Sequence, residues 1–336
     1  MLAARFVGPR DIRIERVPDP RPGPGEAVVR VRAAGICGGD LHEYNAGRQL
    51  YPTPYPRPAQ GHELAGDVVA VGPGVERVTP GDRVAVQPMI GCGACDACRS
   101  GRRALCPRLE HIGVARSGGF AELCLAPAAN LFRLPHEVGY EEGALLDCTA
   151  VAVHAVHRVP VPAGARVTVL GTGAIGQAVA QVARVSGAGR VSVVGTRPGT
   201  LAAARDLGAD ATVDLSAGEQ PPGDAEVVYE TAGGPDLLER ALAAAGPGAW
   251  IGLVGEAFEP QALHPAETMP RELTIAFVWS HDGELEYTRA LELAASGEVC
   301  LAPIVTHRYP LTALPEAFEA AADRARSGAI KVMVTP

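Results

Sequence analysis

Lysine is almost missing from this chain: of its 30 basic residues only Lys331 is one, and the rest are arginine. With Ala, Gly and Pro abundant as well, the skew reads as genome-wide codon bias and carries no functional message. More informative is the lack of any long run of like charge. A net charge of -8, from 30 basic against 38 acidic residues, with no basic stripe, argues against a nucleic-acid or membrane-surface partner. No stretch approaches the roughly 18 consecutive apolar residues of a spanning helix, and Met1 leads into charged, strand-like sequence without a signal-type apolar block. A cytoplasmic location is the expectation. Internal repeats and low-complexity tracts are absent too, although 49–58 carries four prolines and reads as a stiff surface loop.

What is present is enough chain, 336 residues, for two domains with their own cores. The first third is rich in Val, Gly and Pro, with short β-type runs at 28–33, 64–71 and 83–87 between turn signals, which predicts an irregular β domain. From about Ala163 strands and helices alternate: strand 167–170, helix 175–186, strand 191–194, helix 200–207, strand 227–229, helix 236–244, strand 250–254. That pattern predicts an α/β domain with a doubly wound parallel sheet. After strand 274–278 and helix 285–296, the segments 304–309, 316–326 and 331–334 no longer continue the alternation and are expected to return to the first domain. The expected division is 1–147, 148–282 and 283–336.

Four of the eight cysteines crowd together as C-x2-C-x2-C-x7-C: Cys92, Cys95, Cys98 and Cys106. Disulfides are uncommon in reducing compartments, and glycines in the loop supply turns that let the thiolates converge. The spacing suits a closed, structural zinc site with no position open to substrate. A second constellation pairs Cys37, inside Gly35-Ile36-Cys37-Gly38-Gly39-Asp40-Leu41-His42, with His62, inside Gly61-His62-Glu63-Leu64-Ala65-Gly66. Both sit in Gly-flanked turns at strand ends. A thiolate and an imidazole, with a third protein ligand and one open position, would make a catalytic zinc that lowers the pKa of a bound alcohol.

At these residues the chain resembles the zinc-containing medium-chain alcohol dehydrogenase family, over essentially its whole length: Gly61-His62-Glu63-x2-Gly66-x5-Gly72-x2-Val75 is similar to that family's zinc signature. The resemblance implies a GroES-like catalytic β-barrel beside a Rossmann domain. It implies Glu63 as an outer or exchangeable ligand and Asp40 as a residue that orients a ligand. The third ligand falls in Leu146-Asp147-Cys148-Thr149, where Asp147 is the matching position and Cys148 a competing thiol. It also implies a homodimer or homotetramer joined through edge strands around 274–278.

One family feature is missing. Where the resemblance implies a hydroxyl residue two positions after the cysteine, this chain has Gly39, while His42 occupies the matching histidine position of the proton relay. A water leading to His42 or Glu63 is expected to replace the hydroxyl.

Gly171-Thr172-Gly173-Ala174-Ile175-Gly176 joins a predicted strand to a predicted helix, the context in which G-x-G-x-x-G binds a dinucleotide pyrophosphate. The acidic residue expected about twenty positions on, to hold an unphosphorylated ribose, is also missing. Gly195, Thr196 and Arg197 stand there instead, and a guanidinium without a competing carboxylate favours NADP over NAD. By resemblance, Lys331 is expected to reach the cofactor pyrophosphate, and the backbone of Leu253, Val254 and Gly255 the nicotinamide carboxamide.

The expected activity is hydride transfer between a secondary alcohol and NADP, with two zinc ions per chain. Leu41-His42-Glu43-Tyr44 is similar to butanediol and sorbitol dehydrogenases and points to a vicinal diol, polyol, cyclitol or aminocyclitol, with Tyr44, Tyr51, Tyr55 and Trp279 as candidate pocket walls. The alternatives are an NAD-dependent polyol or threonine-type dehydrogenase, a zinc-independent enone or quinone reductase, which should lack Cys37, His62 and Asp147, and an inactive nucleotide-binding protein.

Overall fold

A computed structural model describes residues 1–47, 55 and 59–336. The expected proline-rich loop, with Tyr51, lies outside the described residues apart from Tyr55. The chain divides into two compact units, one of 1–147, 282–295 and 305–336, the other of 148–281 and 296–304. Residues 296–304, expected in the tail that returns to the first domain, therefore belong to the second unit.

In the first unit a seven-stranded sheet runs in the order Val305–Pro310, Lys331–Thr335, Glu26–Gly35, Glu63–Val71, Arg83–Val86, Leu131–Arg133, with Leu123–Pro127 paired to Glu26–Gly35 off that path. The long strand Glu26–Gly35 shows why it forms: Val29, Val31 and Ala33 are buried while Arg30 and Arg32 face outward, the period of two that fits a half-buried strand. Its end is clamped from both sides, Gly35 standing opposite Glu63 on one neighbour and Met333 on the other. This register brings the residues after Gly35, the turn before Glu63 and the start of the C-terminal strand to one place. Beneath lies a core in which Phe318 packs against Phe6 at 5.5 Å and Phe120 at 5.6 Å between ring centroids. An N-terminal hairpin, Leu2–Gly8 with Asp11–Arg16, joins it. The segment 316–326 lies in two helices, Leu314–Ala322 and Arg324–Ser327, separated at Asp323, whose carboxylate accepts from Arg326 N at 3.2 Å and caps the second.

The second unit holds six parallel strands, in the spatial order Ala211–Asp214, Arg190–Gly195, Arg166–Leu170, Ala225–Glu230, Ala245–Leu253, Thr274–Phe277. Numbered along the chain this is 3-2-1-4-5-6, so the winding reverses beside Arg166–Leu170, where the glycine-rich turn begins. The central strands RVTVL and RVSVVG are buried almost throughout, as strands covered on both faces must be. Ala211–Asp214 is a strand that the sequence reading had not placed.

Candidate metal centres and nucleotide cradle

Around Gly35 the strand ends deliver three potential ligands. The ligand atoms of Cys37, His62 and Glu63 all lie within 4.8 Å of one another. Cys37 precedes the helix Gly38–Ala46, and Asp40 in its first turn accepts from Cys37 N at 2.9 Å. The same carboxylate places Oδ1 3.8 Å from His62 Nδ1, a buried nitrogen without a hydrogen-bond partner among the described residues. Asp40 thus bonds the backbone of one expected ligand and lies within ion-pair distance of the other.

Charge is concentrated here in little water. Burial pushes the Cys37 thiol well above its ordinary value, with the charge of Glu63 adding to it. Burial likewise lifts Asp40 to about 6, against the pull of His62. For His62 burial works downward, but the charges of Asp40, Asp147 and Glu63 outweigh it and hold the imidazole above its ordinary value. The Lys331 charge favours the thiolate but is outweighed by burial and the acidic groups, and a divalent ion would supply the further positive charge that a buried thiolate needs. The donor set of sulfur, imidazole and carboxylate fits zinc.

Asp147 lies in the first turn of the helix Leu146–Arg158 and is buried, close enough for its charge to act on His62, yet the tight triplet is completed by Glu63 and not by Asp147. Cys148 is buried at 3 % exposure. The Lys331 ammonium, expected at the cofactor pyrophosphate, is buried and donates to both Glu63 oxygens at 2.6 Å and to Ile36 O at 3.1 Å. The register that brings the C-terminal strand to Gly35 puts it there, and a buried carboxylate needs such a partner. Tyr44, a candidate pocket wall, is a correction. It sits in the core, 5.0 Å from Phe318 between ring centroids, with its hydroxyl donating to Glu319 at 2.6 Å.

Gly39 lies in the first turn of the helix Gly38–Ala46, and a Cβ added there meets nothing within 4 Å among the described residues. His42, one turn on, is half-buried. Two neighbours escaped the sequence reading. His111 lies edge-on to His62, ring centroids 5.1 Å apart, and the charges of Cys37 and Glu63 act on Arg324, whose pKa burial lowers. Neither carries a motif; only the fold brings them to the site.

The ligand atoms of Cys92, Cys95, Cys98 and Cys106 also lie within 4.8 Å of one another. Backbone amides aim at the sulfurs: Cys98 N donates to Cys95 Sγ, and Cys92 N and Arg108 N to Cys106 Sγ, each at 3.4 Å. Amides from Ala94 and Cys95 push Cys92 down to about 5, whereas burial and the bond to Cys95 push Cys98 up to about 11. Four sulfurs held by amides fit a closed tetrahedral zinc site.

In the second unit Gly173 caps the helix Ala174–Val185, and Gln177 N bonds Gly173 O at 2.9 Å. Gly171 has φ +113°, and a Cβ on Gly176 would fall 2.1 Å from Gly171 O, so the turn closes only with glycine. Ala174 and Ile175 begin the helix whose N-terminus faces this turn. The strand Arg190–Gly195 ends as expected, Thr196 is exposed, and Arg197 caps the helix Pro198–Asp206. Thr200 Oγ1 donates to Thr172 Oγ1 at 2.6 Å, which ties that helix to the glycine turn. Val254 N bonds Glu230 O at 2.8 Å, and the fully buried Glu230 carboxylate accepts from Ala232 N and Gly233 N at 3.0 and 3.1 Å. Sequence reading missed Glu230, although an acid ending the apolar strand Ala225–Glu230 was a visible signal.

Comparison with known proteins follows this division. The family model for the alcohol dehydrogenase GroES-like domain matches residues 23–136, and that for zinc-binding dehydrogenase matches 174–296. Sorbitol dehydrogenase of Bacillus subtilis is 33% identical, with 100% of this chain and 97% of the relative aligned. (R,R)-butanediol dehydrogenase of the same organism is 32% identical with both chains covered to 100%. Among solved structures, one from Sinorhizobium meliloti, described as a zinc-binding dehydrogenase bound to NADP, superposes with a TM-score of 0.91 at 32% identity over 100% of this chain and 99% of that one.

Proposed function

The chain belongs to the zinc-containing medium-chain alcohol dehydrogenase family, and from that premise we propose that it oxidises one secondary hydroxyl of a vicinal diol, polyol, cyclitol or aminocyclitol and passes the hydride to NADP. The observation that carries the reading is the convergence of Cys37, His62 and Glu63 beside Asp147. Cys37, His62 and Asp147 hold the catalytic zinc, with Glu63 as an exchangeable ligand, and Cys92, Cys95, Cys98 and Cys106 hold a second, structural zinc. When bound, the metal supplies Lewis acidity toward the substrate oxygen and the nicotinamide accepts the hydride. Asp40 fixes the orientation of His62 through Nδ1. Lys331 balances Glu63 in its resting position. The substrate proton leaves through a water in the space beside Gly39 and on to His42, since a bridging water costs little where there is room.

In the second unit, Gly171, Gly173, Ala174, Ile175 and Gly176 receive the pyrophosphate, the backbone of Val254 meets the nicotinamide, and Gly195, Thr196 and Arg197 take the 2′-phosphate. The presence of Arg197, at the N-cap position of the helix Pro198–Asp206, where an acidic residue would hold an unphosphorylated ribose, supports NADP, as does the NADP named for the Sinorhizobium meliloti relative. Arg197→Ala should lower NADP efficiency about tenfold or more while leaving NAD efficiency near its starting value; an unaltered preference removes Arg197 from the cofactor site. Homodimer or homotetramer assembly and a cytoplasmic location complete the proposal. No helix among the described residues is long and apolar enough to cross a membrane.

The test of the activity is NADP and NAD reduction across diols, sugar alcohols and aminocyclitols, with and without chelator. The expected result is NADP-linked turnover of at least one class, abolished by chelation. Inactivity throughout would leave a nucleotide-binding protein without catalysis, the outcome that Gly39 makes worth testing.

A further inference from the structure

The turn that follows the strand Ala225–Glu230 lies against both segments assigned to the cofactor. On one side it meets the glycine-rich turn. Thr231 donates to Leu170 O at 2.8 Å through both its amide and its hydroxyl. A Cβ on Gly171 would fall 2.6 Å from Thr231 Oγ1 and 2.9 Å from Ala232 N. On the other side the turn meets the end of the neighbouring strand, where a Cβ on Gly255 would fall 2.3 Å from Gly233 N. Residues 231–233 thus fill the space between the pyrophosphate turn and the backbone expected at the nicotinamide.

Glu230 bonds to both sides of this arrangement. Its main-chain oxygen accepts from Val254 N at 2.8 Å and Gly255 N at 2.9 Å. Its side chain turns the other way: Oε1 accepts from Ala232 N at 3.0 Å and Gly233 N at 3.1 Å, and Oε2 from Gly233 N at 3.1 Å. Arg240 holds the same turn by donating to Gly233 O at 2.8 Å. The carboxyl has no exposed surface, and burial pushes its pKa up against the pull of the two amides and of Arg240. A carboxylate taken wholly out of water is costly unless bonded, and here the bonds it makes shape the turn.

We propose that Glu230 is a positioning residue for the dinucleotide: by fixing the 231–233 turn between Gly171 and Gly255, it keeps the pyrophosphate turn and the nicotinamide-facing backbone in the relation that one cofactor molecule requires. The inference rests on the nucleotide assignment above and deepens it. Glu230 acts through the backbone it holds and not by touching the cofactor. A ligand gripped at two places binds more tightly than either half only while both grips fit it at once. The adenosine end is anchored separately, through the bond between Thr200 and Thr172. Loss of the Glu230 carboxylate therefore weakens the whole dinucleotide and spares its adenosine half.

The test compares a dinucleotide with its adenosine half. Dissociation constants of the zinc-loaded protein are measured by calorimetry for NADPH and adenosine 2′,5′-bisphosphate, and in parallel for NADH and 5′-AMP, in wild type, Glu230→Ala and Glu230→Gln. In Glu230→Ala the affinity ratio of dinucleotide to mononucleotide should fall about tenfold or more, with the mononucleotide held within about twofold. Glu230→Gln, which keeps one acceptor oxygen for the two amides, should lose about threefold and so restore part of the ratio. Should Glu230→Ala fail to fold, the fall in Glu230→Gln decides alone. A ratio unchanged in the variants that fold, including one unchanged because both ligands weaken together, overturns the inference and leaves Glu230 a purely structural residue. If NAD is the cofactor, the NADH and 5′-AMP pair shows the same fall, so a failed NADP preference is distinguishable from a failed role for Glu230. A wild type that binds neither dinucleotide overturns the nucleotide assignment and the inference together.

Discussion

Gly39 leaves open space where a hydroxyl could stand, and that space bears on how a proton leaves the site. Since a Cβ there meets nothing within 4 Å among the described residues, Gly39→Ser should fold as the wild type does. If a water already carries the proton toward His42, the added hydroxyl changes turnover by less than about tenfold. A gain of several orders of magnitude in steady-state turnover would mean that the natural site has no working relay. The departure itself was legible in the sequence, because it sits at a fixed offset from Cys37. The role of Lys331 was not. Resemblance offered it a cofactor contact, but its pairing with Glu63, set by the register of the C-terminal strand, had no signal in the sequence. Pairing between residues 268 positions apart leaves no local pattern to read.

At the scale of elements, the Glu63–Lys331 pair joins the strand carrying the zinc signature to the C-terminal strand, the two flanking Glu26–Gly35. Removing one partner of a buried pair strands the other charge, so Lys331→Met should cost about 3–5 kcal/mol in denaturant unfolding, and Glu63→Gln with Lys331→Met should recover most of it. Equal losses in the single and double variants would assign the cost to packing alone. The cysteine loop and the glycine-rich turn were readable for the opposite reason. Their function depends on spacing within a few residues, so Cys92, Cys95, Cys98 and Cys106 converge as their spacing implied, and Gly171 to Gly176 form the turn that their strand and helix context implied. The helix carrying Asp147 is intermediate: the position could be matched, but its distance from the triplet depends on how Leu146–Arg158 packs.

For the whole molecule, the six-stranded sheet ends at Thr274–Phe277, an edge with unpaired backbone groups. On it Phe277 is 78% exposed. Exposed edges carrying large apolar side chains favour association, so Phe277→Lys should shift the chain toward monomer in sedimentation velocity; an unchanged size would move the interface elsewhere. The alternation of strands and helices had announced the parallel sheet, because it is written in local periodicity. What escaped was the brief excursion of residues 296–304 into the second unit, too short to have a period of its own.

The two four- and three-ligand clusters make zinc the centre of the account. The most direct measurement strips the protein of metal and follows diol-dependent NADP reduction as zinc is returned, with bound metal counted by mass spectrometry. Turnover should be absent in the stripped protein and reappear only as zinc approaches two per chain, and Cys37→Ala should stop at one and stay inactive. Full turnover from protein shown to carry no zinc would contradict the account.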